Sequence, residues 1–302
     1  MRVAVTGATG LIGRHLTRAL LERGDQIVPL SRSNGEVHGV PTVAWDPVFD
    51  DFPAAAARGV DAVVNLAGAS VADGRWTRER QKEIRTSRVI TTTRIAEALA
   101  AGAGPRVLVS GSATGYYGNR GDEVLDESSA PGDDFLAHTA LAWEAAARGA
   151  ESGGVRVAIS RTGMVLARDG GVLPRLATMT RAGIAGPIGG GRQWVPWVGI
   201  DDVVGMILAA LDDETWRGPF NNVAPEAVPQ REVATTLGRV LGRPALVPTP
   251  AIAIRGLMGG SAALVLDGQR CTPAAARAHG YAWISGDLRE CLETLLDPSA
   301  PG

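Results

Sequence analysis

Residues Val3-Ala4-Val5-Thr6-Gly7-Ala8-Thr9-Gly10-Leu11-Ile12-Gly13 join a short β-branched run to a glycine turn that opens a helix. Glycine has a separate physical use at each of its three positions. Gly7 lets the chain turn sharply after the strand, Gly10 lets the backbone approach a diphosphate with no Cβ in the way, and Gly13 lets the next helix pack close to the sheet. A helix is expected over Leu11 to Arg23, with Leu16, Ala19 and Leu20 at helical spacing and Gly24 as its stop. Its unpaired N–H groups and positive dipole end point back at the turn. The segment reads as a dinucleotide phosphate site, with Gly7, Thr9, Gly10, Leu11, Ile12 and Gly13 as contact residues.

The second strand, Gln26 to Leu30, ends in Ser31-Arg32-Ser33. An acidic residue about 20 positions after such a turn holds the ribose 2′-hydroxyl of NAD, whereas an arginine there pairs with the 2′-phosphate of NADP. No Asp or Glu stands between Gln26 and Asn34, so Arg32 selects NADP(H) as the expected cofactor.

The 302 residues are 45% hydrophobic and 21% charged, enough to bury the core of one large α/β domain with a smaller appendage. A formal net charge of −2 gives no basic surface for nucleic acid. Cys271 and Cys291 have neither metal-ligand spacing nor a disulfide framework, so no metal is expected, and packed thiols fit the reducing cytoplasm. No uncharged run is long enough to span a bilayer, and the first strand is broken by glycine too early for a signal peptide. A soluble cytoplasmic chain follows, either monomer or homodimer, whose partner is a small molecule.

Alternation of strands and helices continues to about residue 165. Asp61 to Val64 runs into Asn65-Leu66-Ala67-Gly68, and further strands are expected over Arg106 to Ser110 and Val155 to Ser160. Helices are expected near Thr77 to Ala101 and Phe135 to Gly149. This order predicts a Rossmann-type, doubly wound parallel α/β sheet with a small C-terminal subdomain facing the substrate. Residues 1–165 and 199–225 are assigned to the nucleotide domain, and 166–198 and 226–302 to the subdomain.

Several motifs together resemble the extended short-chain dehydrogenase/reductase superfamily. They are Gly7-x-x-Gly10-x-x-Gly13, Asn65-Leu66-Ala67-Gly68, Ser110-Gly111-Ser112-Ala113-Thr114 with Tyr116-Tyr117-Gly118, and Ile200-Asp201-Asp202-Val203. More narrowly, Gly74-Arg75-Trp76-Thr77, Ser87-Arg88, Trp143-Glu144, Arg161-Thr162-Gly163 and Gly268-Gln269-Arg270 resemble the atypical epimerase family protein branch, family 39 of that superfamily. The resemblance covers nearly the whole chain. Residues 248–296 resemble the branch's small C-terminal domain. It implies NADP binding, with Asn65, Leu66, Ala67 and Gly68 beside the cofactor.

It also implies a serine that orients a carbonyl or hydroxyl, a tyrosine acid/base, and a lysine four residues later that lowers the phenol's pKa. Ser112 matches the serine. The Tyr-x-x-x-Lys pair is absent: Lys82 is the only lysine, and alignment on Trp143-Glu144 puts Leu136 and Ala140 in those positions. An isolated phenol titrates near 10, a poor match to neutral chemistry. Tyr117 and Tyr116, a few positions after Ser112, and His138, between Leu136 and Ala140, are the substitute proton donors. Arg88 and Arg192 are candidate contacts for an anionic substrate, and Trp194 and Trp197 for its aromatic wall. The expected function is an NADP(H)-binding oxidoreductase or epimerase acting on a small-molecule carbonyl or hydroxyl. The alternatives are a non-redox lyase, isomerase or cyclase in the same cleft, and a non-catalytic NADP(H)-binding regulator.

Overall fold

The computed structural model describes residues 1–297; residues 298–302 of the assigned subdomain lie outside the described residues. Seven strands form one parallel sheet: β1 (Arg2–Thr6), β2 (Gln26–Ser31), β3 (Val43–Ala44), β4 (Ala62–Asn65), β5 (Val107–Ala113), β6 (Arg156–Thr162) and β7 (Gly218–Asn222). Their order is β7-β6-β5-β4-β1-β2-β3, with Val3 opposite both Ile27 and Ala62. The chain therefore winds outward from β1 on one side and resumes at β4 on the other. Strand order reverses between β1 and β4, the point at which an open α/β sheet of this kind places its ligand crevice, at the strands' carboxyl ends.

Helix α1 (Leu11–Glu22) and helix α5 (Ile200–Asp212) cover one face of the sheet, while α2 (Arg78–Ala100) and α3 (Phe135–Arg148) cover the other. The alternation of strand side chains decides this division. Val3, Val5, Ala62, Val64 and Val109 pack with Leu16 and Leu20 of α1 and Ile207 of α5. Ala4, Val63, Leu108 and Ile159 pack with Ile95 and Leu99 of α2 and Ala147 of α3. Leu16 and Leu20 are fully buried, each contributing about 1.5–3 kcal/mol. Both large helices on the second face carry side-chain caps. Thr77 accepts from the Arg80 N–H at 3.2 Å and Asp134 from the Ala137 N–H at 2.8 Å, each stabilising by about 1 kcal/mol.

After β6 the chain leaves the main sheet. Met164–Ala167 pairs with Gly170–Gly171 and with Trp197–Gly199, and this small sheet packs with α4 (Leu173–Arg181), α6 (Gln230–Val240) and α10 (Leu288–Leu296) around Leu166, Trp197, Leu237 and Leu292. Between α6 and α10 lie the short helices α7 (Ala251–Met258), α8 (Ala263–Leu266) and α9 (Ala274–Ala278). Arg270–Cys271 pairs with Val124–Leu125 in a separate two-stranded sheet, which ties this region to the segment between β5 and α3. Asp202 on α5 makes a second tie, accepting from the N–H groups of Ile284 at 2.8 Å and Ser285 at 3.0 Å. Among the described residues, no helix is long and apolar enough to cross a membrane.

Candidate functional site

The glycine turn and the loop after β4 meet at the point of strand reversal. Gly7 has φ +67°, and a Cβ there would stand 2.7 Å from the Leu66 carbonyl carbon. A Cβ on Gly13 would stand 2.1 Å from the Gly7 oxygen, closer than any real contact. Gly10 donates its N–H to the Gly7 oxygen at 2.9 Å and precedes α1 without a side-chain cap, and the first turn of α1 holds no acidic residue. The positive end of α1 is left open at the crevice. Thr9 and Gly10 are exposed there, Leu11 and Ile12 are half-buried, and after β4 Leu66 and Ala67 are half-buried and Gly68 exposed. Arg32 follows β2 as an exposed side chain, and among the described residues no acid pairs with it. The Asn65 side chain has a different task. It is fully buried, accepting from the Thr6 hydroxyl and donating to that of Thr92, both at 2.7 Å, so it braces β1 and β4 against α2.

The four proton-handling candidates are not brought together as free groups. Ser112 is 5% exposed, and its hydroxyl donates to Glu144 Oε1 at 2.7 Å. That carboxylate also accepts from Arg161 Nε at 2.8 Å and Nη2 at 2.9 Å, a fork-to-fork pair in which both residues are almost wholly buried. Arg161 Nη1 donates to the Tyr117 oxygen at 3.0 Å, and the Tyr117 hydroxyl donates to Asn221 Oδ1 at 2.7 Å. Burial pushes the Tyr117 phenol far above its usual range despite the neighbouring guanidinium. Burial alone would lower Arg161, but its pairing with Glu144 holds it above its ordinary value. The expectation that Tyr117 donates a proton is therefore corrected: its side chain is locked in the protein interior. Tyr116 is 9% exposed, with its ring face 3.5 Å beneath the Arg161 carbon. It is a packing partner of that cation rather than a group free to swing.

His138 is exposed, whereas Ala137, Ala140, Glu144 and Ala147 make the buried face of α3. It therefore lies on the outer side of that helix, apart from the buried network. Trp197 is corrected as well: at 1% exposure it belongs to the core with Leu166 and Leu292, not to a substrate wall. Trp194 is half-buried, donates to Asp122 at 2.7 Å and lies 4.4 Å from the Arg270 carbon. Arg192 is exposed, and Arg88 is half-buried under the loop that contains Gly68. Glu144, Arg161 and Asn221 were not expected as centres of the buried network. The legible signal was Glu144 on the apolar face of α3, in phase with Ala137, Ala140 and Ala147.

Comparison with known proteins agrees with the fold. Residues 3–223 match the NAD dependent epimerase/dehydratase family, and residues 249–295 match a domain of unknown function, DUF1731. The human epimerase family protein SDR39U1 is 36% identical over 303 residues, covering 98% of this chain and 100% of that one. Its chloroplastic homolog from Arabidopsis thaliana is also 36% identical, covering 98% of this chain and 87% of the relative. The crystal structure of the human protein (isoform 2) with NADPH superposes with a TM-score of 0.89 at 34% identity, covering 98% of this chain and 99% of that one. The chain belongs to the NAD dependent epimerase/dehydratase family.

Proposed function

We propose that the chain is an NADP(H)-binding oxidoreductase or epimerase of the atypical extended short-chain type, acting on a small-molecule carbonyl or hydroxyl. The observation that carries this is Arg32, an exposed cation that directly follows β2 and has no acid partner among the described residues, in a chain whose α1 has an open amino end. The crevice fits the cofactor. Its glycines leave no room for Cβ atoms, and its helix end lacks both a cap and an acid. The amides from Gly10 to Gly13 would hold the diphosphate and Arg32 the 2′-phosphate. Bound there, the nicotinamide supplies hydride transfer to or from a carbonyl carbon. The similarity to a relative solved with NADPH supports the same assignment.

The chain's own residues then bind and orient. Leu66, Ala67 and Gly68 wall the crevice, and the parts of the chain at 166–198 and 226–297 close over the substrate. Leu136 and Ala140 carry no proton, and Ser112 and Tyr117 are held by Glu144, Arg161 and Asn221. The proton of a reduction comes in this reading from water or from the substrate itself. The buried unpaired thiols of Cys271 and Cys291 suit the reducing cytoplasm.

Stereospecifically deuterated NADPH offered with a panel of carbonyl compounds tests the reading. Deuterium is expected in the product carbinol. A second reading, a non-catalytic NADP(H)-binding regulator, is favoured by the commitment of the Ser112 hydroxyl to Glu144. NADPH that binds without label transfer to any carbonyl, and without substrate epimerisation, would put that reading first.

A further inference from the structure

Arg88 lies midway along α2 and sends its guanidinium back under the loop that follows β4. Nη1 donates to the Ala69 and Ile84 carbonyls, both at 2.9 Å. A Cβ on Gly68 would stand 2.9 Å from Arg88 Cζ and 3.2 Å from each Nη, so glycine at 68 is what leaves the guanidinium uncovered at the crevice wall. On another side Cζ stands 5.2 Å from the centroid of the Trp143 ring. Trp143 is 7% exposed, and its Nε1 has no acceptor among the described residues.

The electrostatics of the recess are one-sided. Among the described residues no carboxylate pairs with Arg88, and the charge that acts on it is the cation Arg80. Burial first, and Arg80 second, push its guanidinium down to about 10, still charged at neutral pH. A desolvated cation without a counter-charge is unfavourable, and so is a buried indole N–H without an acceptor. An anionic oxygen group on the free edge of the guanidinium would relieve the first.

We infer that the recess formed by Gly68, Arg88 and Trp143 receives an anionic group, a phosphate or a carboxylate, at the carboxyl end of β4. The inference deepens the proposed function, since it rests on the same crevice and gives its contents a chemical class. A phosphate of the dinucleotide and an acidic group of the substrate share the required chemistry. In either case Nη2 and Nε of Arg88 supply the edge that Ala69 and Ile84 leave unused.

Thermal unfolding in inorganic phosphate and in malonate, against sodium chloride at matched ionic strength, tests it on wild type, Arg32→Ala and Arg88→Met. A bound anion raises the midpoint. The rise is expected in wild type and Arg32→Ala and is smaller in Arg88→Met, where the amino end of α1 remains to take the anion. Should Arg88→Met fail to fold, Gly68→Ala, whose methyl group covers the guanidinium, takes its place with the same expected reduction. No rise in Arg32→Ala, or an equal rise in the recess variant, overturns the inference.

Calorimetry with NADPH separates the two sources. If the dinucleotide fills the recess, saturating NADPH removes the phosphate effect, and the recess variant binds NADPH about 10- to 100-fold more weakly. If a substrate group fills it, the phosphate effect survives saturation and NADPH affinity is unchanged. Absence of any NADPH heat sinks the cofactor reading alone, because the phosphate arm is scored without it.

Discussion

Glu144→Gln removes one charge from the buried network and leaves the shape of the side chain intact. The carboxylate accepts three hydrogen bonds, from Ser112 at 2.7 Å and from Arg161 at 2.8 and 2.9 Å. An amide keeps one acceptor oxygen and turns an NH2 group toward a guanidinium that only donates. Arg161, 2% exposed, is left as an uncompensated buried cation. Breaking one side of such a pair destabilises by about 3–5 kcal/mol. With a urea slope of about 3 kcal/mol per M, the unfolding midpoint falls by about 1–1.7 M. Urea titration followed by far-UV circular dichroism and tryptophan fluorescence measures this, with coincident curves and an unchanged slope as the control. A fall of less than about 0.3 M would refute the reasoning, since the network would then hold too little free energy to immobilise Ser112 and Tyr117. The sign reverses for a matched apolar replacement. Glu144→Leu with Arg161→Met recovers most of the loss, because neither charge is then stranded.

Tyr117→Phe strands Asn221 Oδ1 and one Arg161 N–H, so it destabilises by about 1–3 kcal/mol in the same titration while leaving any hydride transfer rate unchanged. His138→Ala, on the outer side of α3, shifts stability by less than about 0.5 kcal/mol and leaves turnover untouched; a loss of turnover would support it as the proton donor. Gly13→Ala places a methyl group 2.1 Å from the Gly7 oxygen, so it destabilises by about 1–3 kcal/mol and weakens NADPH binding, read by thermal unfolding and calorimetry. Alkaline pH has a defined sign. Burial raises Tyr117, Tyr281 and Cys271 above their usual ranges and Cys291 to about 12, so the folded chain holds these protons more tightly than the unfolded chain does. Their contribution is complete below the unfolded thiol value of about 8.5 and is lost as pH rises beyond it through the folded values. The thermal midpoint falls from that pH upward, and phenolate absorbance from Tyr117 appears only with unfolding.

Where local pattern and tertiary need agreed, the sequence was readable. The helix expected near Thr77 to Ala101 is Arg78–Ala100, that near Phe135 to Gly149 is Phe135–Arg148, and the β-branched run before Gly7 is the interior strand β1. The two outermost strands were not legible. Val43–Ala44 is only two residues long, and Gly218-Pro219-Phe220-Asn221-Asn222 carries a glycine, a proline and two amides, so it becomes a strand only because β6 offers a register. The glycine turn was legible because glycine positions encode backbone geometry directly. The catalytic side was not, because polar residue types do not declare their partners. Ser112 and Tyr117 look like reactive hydroxyls until Glu144, Arg161 and Asn221, distant in sequence, are found holding them. Trp197 looked like a ligand wall for the same reason, and only the packing of Leu166 and Leu292 around it shows otherwise.

Calorimetric titration of NADPH and NADH into wild type and Arg32→Ala tests the central claim most directly. The account predicts that wild type binds NADPH more tightly than NADH, and that Arg32→Ala weakens NADPH by about 10- to 100-fold while leaving NADH nearly unchanged, because only the 2′-phosphate loses its guanidinium. An equal loss for both nucleotides, or no heat from either with the wild-type protein, would contradict it.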